Sequence, residues 1–145
     1  MFVQRSAANR VFRCMQAALG GAVIALLAGT SSHAERIANP VAEFSGIDKI
    51  TGRIITFDVY IDETVQFGAL QVTPRVCYSR PETEEPKTDS FVEVDEITLD
   101  RKIRRIFTGW MFAESPGLNA VEHPIYDVWL KQCKSDSTVP PPDRQ

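Results

Sequence analysis

Residues 53–61 read Arg-Ile-Ile-Thr-Phe-Asp-Val-Tyr-Ile, with Ile55, Phe57, Val59 and Ile61 at every second position and Thr56, Asp58 and Tyr60 between them. A period of two belongs to a strand with one face on a core and the other toward water. Upstream, residues 44–50 lead into Thr51-Gly52, which predicts a hairpin with this strand. Downstream, Val65 and Phe67 keep the phase and Leu70 and Val72 shift it, so a bulge at Gly68 within one strand over 65–73 is expected. Pro74 then interrupts before a further strand at 75–79.

The pattern continues toward the C-terminus. Residues 80–90 (RPETEEPKTDS) hold two Pro, four acids and no large apolar side chain, as an exposed loop would. Residues 91–99 and 103–112 alternate as two long strands joined at Asp100-Arg101-Lys102. A last strand over 125–133 sets Tyr126, Val128 and Leu130 against Asp127, Trp129 and Lys131. No helical stripe of useful length intervenes. The expected fold is all-β: a small antiparallel β-sandwich or open β-barrel of about seven strands. With 145 residues, 43% of them hydrophobic, the chain suits one domain and excludes disorder throughout.

The N-terminal residues set a compartment. Arg5, Arg10 and Arg13 precede an uncharged run over 15–28, and Ser32 and Ala34 supply small residues for cleavage after Ala34. This is the pattern of a secretory signal peptide over 1–34, and it predicts a periplasmic or otherwise secreted protein. A retained anchor is the competing reading, but the run is short and holds Gln16, Gly20 and Gly21, so no stable membrane insertion after cleavage is expected. Cys14 precedes the apolar run, which excludes a lipoprotein site. Cleavage leaves a flexible segment at 35–42, a β-domain at 43–133 and a Pro-rich tail at 134–145 expected to be disordered. It also removes three Arg and no acid, leaving a formal charge of −6. Such a balance argues against nucleic acid and anionic membrane as primary partners.

Cys77 and Cys133 remain as a pair, and in an oxidising space one disulfide is the simple expectation. Across 56 positions the chain-entropy estimate for such a link is about 4 kcal/mol. Two buried thiols are the alternative. A metal site is disfavoured, because two isolated Cys and a single mature His lack zinc-site spacing.

Candidate chemistry is sparse. No phosphate loop, HExxH, Gly-x-Ser-x-Gly or EF-hand pattern occurs, so no cofactor is implied. Residues 109–127 (GWMFAESPGLNAVEHPIYD) hold Glu122, His123 and Asp127, which a hydrolase or carbohydrate-active enzyme would use as acid, base and orienting carboxylate. The structural alternative is a turn whose imidazole bonds to backbone. Trp110, Phe112, Tyr126 and Trp129 would form an aromatic platform for an envelope protein or a glycan, or else pack in the core. Alternation places Trp129 on the face opposite Tyr126 and Val128. Arg101, Lys102, Arg104 and Arg105 form the one basic cluster, either neutralising nearby acids or meeting an anionic envelope polymer.

Several motifs together resemble a known family. They are Asp48-Lys49-Ile50-Thr51-Gly52-Arg53, Phe67-Gly68-Ala69-Leu70-Gln71-Val72, Arg75-Val76-Cys77-Tyr78 and, above all, Gly109-Trp110-Met111-Phe112 through Ser115-Pro116-Gly117-Leu118-Asn119 to Glu122-His123-Pro124-x-Tyr126-Asp127-x-Trp129-Leu130. The resemblance is to the bacterial, chiefly alphaproteobacterial, domain of unknown function 2155. It implies a periplasmic envelope protein and supplies no catalytic residues. Glu114 departs from the pattern, standing where a small residue is expected. The leading expectation is a non-enzymatic interaction domain supporting envelope assembly or integrity, with the Glu122/His123/Asp127 enzyme as runner-up.

Overall fold

The computed structural model describes residues 34–142. The signal-peptide reading of 1–34 lies, apart from Ala34, outside the described residues.

Eight strands and no helix make up the described chain: β1 (Ile37–Ala38), β2 (Val41–Asp48), β3 (Arg53–Tyr60), β4 (Val65–Phe67), β5 (Leu70–Ser79), β6 (Asp89–Ile97), β7 (Ile103–Phe112) and β8 (Tyr126–Lys134). All pairings are antiparallel. One sheet runs β1-β5-β6-β7 with β4 also on β5, and the other runs β3-β2-β8. Between them lie Phe44, Val59, Leu70, Val72, Val92, Val94, Val128 and Leu130, each no more than 1% exposed. The architecture is an open sandwich, as the alternating strands and short turns require. Strand pairing also begins earlier than the sequence indicates, with β1 and the first residues of β2 falling within 35–42.

The hairpin at Thr51-Gly52 forms as expected, with Gly52 at φ +72°. The bulge expected at Gly68 does not. Residues 65–73 instead fold back on themselves, Phe67 pairing with Leu70 across Gly68-Ala69. Gly68 adopts φ +57°, and a Cβ there would fall 2.5 Å from the Tyr126 ring. A phase change at a glycine fits either a bulge or a two-residue turn, and the tyrosine packed against this one favours the tight turn.

Pro74 likewise does not interrupt. Strand β5 runs through it, and the register slips between Pro74 and Val76, leaving Arg75 as the extra residue. A bulge accommodates a proline because the missing N–H costs no ladder bond there. The slip also reverses the alternation: Leu70, Val72 and Pro74 face the core, and after it Cys77 does so rather than Val76. A second slip acts the same way in β8. Phe44 pairs with Leu130 but Glu43 with Gln132, so Lys131 is extra and Cys133 turns inward opposite Ala42. The two cysteines therefore meet between the sheets, bonded, with Cα atoms 5.7 Å apart.

The register defines two ends. At the hairpin end lie the β2–β3, β4–β5 and β6–β7 turns and the start of β8. At the loop end lie β1, the β5–β6 loop and the end of β7. Residues 113–125 cross from the loop end to the hairpin end along the open side between β7 and β8. Val121 plugs that side at 2% exposure, and the Asn119 amide donates to the Trp110 carbonyl at 2.7 Å.

Candidate functional site

His123 opens β8 at the hairpin end, where it is buried. Its Nδ1 accepts from the N–H groups of Ile125 and Tyr126, each at 3.1 Å, which places the ring proton on Nε2. Nε2 faces the Glu96 carboxylate at 3.1 Å, and the His123 carbonyl accepts from Lys49 Nζ at 2.8 Å. Glu96 also pairs with Arg104, whose hydrogen bond holds its carboxyl below the ordinary glutamate value despite partial desolvation, with His123 assisting. Neither remaining member of the sequence constellation bonds to this ring. Glu122 is exposed, and the Asp127 carboxylate accepts from the Val128 N–H at 2.9 Å. His123 thus clasps the β8 entry to β6, joining the two sheets.

The four aromatic candidates occupy three places. Tyr126 lies between the sheets at the hairpin end, edge-on to Phe67 with centroids 5.6 Å apart and against the His123 ring at 5.4 Å. Trp129 lies on the outer face of the three-stranded sheet, half-buried and paired in register with Ser45. Trp110 and Phe112 lie on the outer face of the five-stranded sheet. There Trp110 stacks on Tyr78 at 6.2 Å and meets Phe91 edge-on at 5.5 Å, while the Arg36 guanidinium covers Tyr78 at 5.3 Å.

This strip runs into a cleft of about 340 Å³ at the loop end. Its walls include Arg36, Arg80 and Lys87 with Asp89, Phe112 and Leu118. Arg36 and Arg80 each lie one residue beyond the Ile37–Ser79 pair, so two cations flank the end of the β1–β5 ladder. Among the described residues neither they nor Lys87 form an ion pair; Arg80 reaches only the carbonyls of Ala34 and Glu35. Glu114 also lines the cleft, its carboxylate held by the Thr88 N–H at 2.9 Å.

Elsewhere most cations are paired, although among the described residues Arg53 and Arg101 form no ion pair and Lys49 reaches only the His123 carbonyl. Arg75 binds Glu93 and Asp62, Arg105 binds Asp95 and Glu93, and Lys102 lies 3.4 Å from Asp100. The basic cluster at 101–105 therefore mostly neutralises neighbouring acids. Sequence reasoning passed over Arg36, Arg80 and Lys87, because Arg36 lies in a polar segment and the other two in an acidic loop. The one signal that could have found them was the β1–β5 register, which a two-residue strand does not announce.

These features define a disulfide-closed, antiparallel β-sandwich with a cation-lined cleft at one end. The chain belongs to the bacterial family described as "Uncharacterized protein conserved in bacteria (DUF2155)", whose model matches residues 42–133. It is also similar to an uncharacterized protein of Rickettsia prowazekii (strain Madrid E), 25% identical over 87 residues, which are 60% of this chain and 56% of that relative. The chain thus spans little more than half the length of that relative. No solved structure matches.

Proposed function

We propose that this protein is a non-enzymatic binding module of the bacterial cell envelope, exported to the periplasm, and that its partner docks at the loop end. The observation that carries the reading is the convergence of Arg36, Arg80 and Lys87 on one cleft, with no ion pair among the described residues, beside an aromatic strip. Arginines and aromatic anchors are among the groups that dominate binding surfaces. Export is supported by the pattern of residues 1–34 and by a cysteine pair placed to bond, which belongs to an oxidising compartment. The non-enzymatic part is supported by His123, both of whose ring nitrogens are engaged in holding chain.

The test places a photo-crosslinking residue at Leu118, 67% exposed in the cleft, and at Ile54, 58% exposed on the opposite sheet. Irradiation of living cells followed by osmotic shock should release the protein with the periplasmic fraction and give adducts from position 118 alone. Retention in the cytoplasmic fraction, or adducts equal at both positions or absent, would overturn the reading.

A further inference from the structure

We infer that the loop-end cleft is a binding site for a short anionic saccharide, whose carboxylate or phosphate sits between Arg36 and Arg80. The inference rests on the reading of this end as the docking surface and names the ligand it takes.

The first argument is electrostatic. Like charges gathered at one place repel, and here two guanidiniums flank the end of the β1–β5 ladder with Lys87 in the same cleft. The other arginines along the five-stranded sheet show that acids were within reach to pair: Arg75, Arg104 and Arg105 all do. Planar guanidinium forks match carboxylate and phosphate oxygens two at a time, which lysine alone does not. Arg36 is further held in place by the Tyr78 ring beneath it.

The second argument separates a saccharide from an acidic peptide. Besides three cations the cleft holds two carboxylates, Asp89 and Glu114, and the Ser115 and Thr88 side chains. Carboxylates repel a chain of acidic residues but accept readily from sugar hydroxyls. Phe112 and Leu118 supply an apolar wall for the C–H face of a pyranose ring. At about 340 Å³ the cleft falls within the range of small-ligand sites, roughly 300–1,000 Å³. Cations for one acidic group, carboxylates for hydroxyls and an apolar wall together describe a sugar acid or sugar phosphate.

Trp110 supplies the readout, because its stacking on Tyr78 links it to Arg36. Protein purified from cells making the full chain, carrying Trp129→Phe so that Trp110 alone reports, is titrated with glucuronate and with glucose 6-phosphate, each bearing one acidic group. Maltotriose, tri-glutamate and inorganic phosphate serve as comparisons. At least one acidic sugar should change the fluorescence saturably and shift the Thr88 and Ser115 amide resonances, and the two together tell carboxylate from phosphate. Maltotriose and tri-glutamate should bind at least tenfold more weakly. Arg36→Gln/Arg80→Gln should weaken the sugar at least tenfold with a melting temperature no lower than the parent's, and Asp89→Asn should weaken the sugar while improving tri-glutamate. Inorganic phosphate or tri-glutamate matching the sugars, an indifferent double variant, or no acidic sugar binding would each overturn the inference. If Leu118 still crosslinks a neighbour while no sugar binds, the ligand class fails and the module reading stands. If sugars bind and no adduct forms, the ligand class stands and the macromolecular partner at this end fails.

Discussion

The two ends of the sandwich are closed by different chemistry. At the loop end Cys77 of β5 and Cys133 of β8 join the sheets covalently, and the polar groups outside that bond include three cations without ion pairs. At the hairpin end the sheets are joined by His123 and Glu96, and Lys49, Arg104 and two backbone N–H groups are all drawn into the clasp. The residues that look most like a catalytic centre are therefore taken up in holding the chain together. Those that look like loop filler form no ion pair among the described residues, Arg80 reaching only the carbonyls of Ala34 and Glu35. Residue type identifies a candidate; the remaining capacity of its polar atoms identifies a site.

The largest expected effect comes from breaking the covalent clasp. Cys77→Ser/Cys133→Ser should lower stability by about 4 kcal/mol, read from urea denaturation of the oxidised parent and the variant. Hydrogen exchange should rise first in β1 and the loop-end half of β5. A loss below about 1 kcal/mol would mean that core packing alone closes this end and would erase the contrast.

Next comes the hydrogen-bonded clasp. His123→Ala removes the acceptor for two N–H groups and the partner of Glu96, for an expected loss of about 2–3 kcal/mol. His123→Asn, which can restore an acceptor, should recover part of it. If His123→Ala denatures within about 0.5 kcal/mol of the parent, the histidine is free for another role and the enzyme reading regains its ground.

A third effect is set by pH. Burial pushes the Glu43 carboxyl up, but hydrogen bonds from Lys131, Gln132 and Lys134 outweigh it and leave the group below its ordinary value. Asp58 behaves alike, with Lys134 and Ser137 overcoming its burial. Because the folded values lie below the unfolded ones, this stabilisation is complete above the unfolded carboxyl range, about pH 4, and is lost as pH falls through the folded values. The melting temperature should hold level from pH 7 to about 5 and drop below about 4. Glu43→Gln should cost about 1–2 kcal/mol at pH 7 and flatten the acid limb. A variant as acid-sensitive as the parent would place the titrating groups elsewhere, with Glu96 the first to examine.

Most of the strand pattern was legible because it depends on alternation, which core burial enforces locally. Residues 53–60 and 103–112 fall where the sequence puts them, whereas β6 runs Asp89–Ile97 rather than 91–99, because Asp89 and Ser90, expected in the exposed loop, pair with β7 and are buried. The bulges were not legible, because an extra residue is visible only against its partner strand. Strict alternation from Val72 and from Leu130 would have turned both cysteines outward, and only the slips at Arg75 and Lys131 bring them together. The aromatic candidates were readable one by one, and Trp129 does lie on the face opposite Val128. Their separation onto two outer faces and the interior follows from sheet membership, which one-dimensional spacing does not encode. The cleft was least legible of all. It depends on a two-residue strand whose pairing brings Arg36 and Arg80 to the same end of one ladder, and local sequence carries no trace of that register.

The smallest expected effect is the most diagnostic of the contrast, because its sign is unusual. Replacing paired surface arginines ordinarily costs a few tenths of a kcal/mol, whereas Arg36→Gln/Arg80→Gln removes two neighbouring cations that form no ion pair among the described residues, their repulsion offset only in part by Asp89 and Glu114 in the same cleft. The unliganded variant should be equal to the parent or more stable by up to about 0.5 kcal/mol. Part of that gain is balanced by the loss of Arg36 from the Tyr78 ring. The gain should be largest at about 10 mM salt, where charges interact over roughly 30 Å, and should vanish near 1 M, where they are screened within roughly 3 Å. Arg75→Gln, which breaks contacts to Glu93 and Asp62, should move stability the opposite way under the same salt series. If both variants lose stability and respond alike to salt, Arg36 and Arg80 serve the fold just as the hairpin-end residues do, and the two ends do not differ.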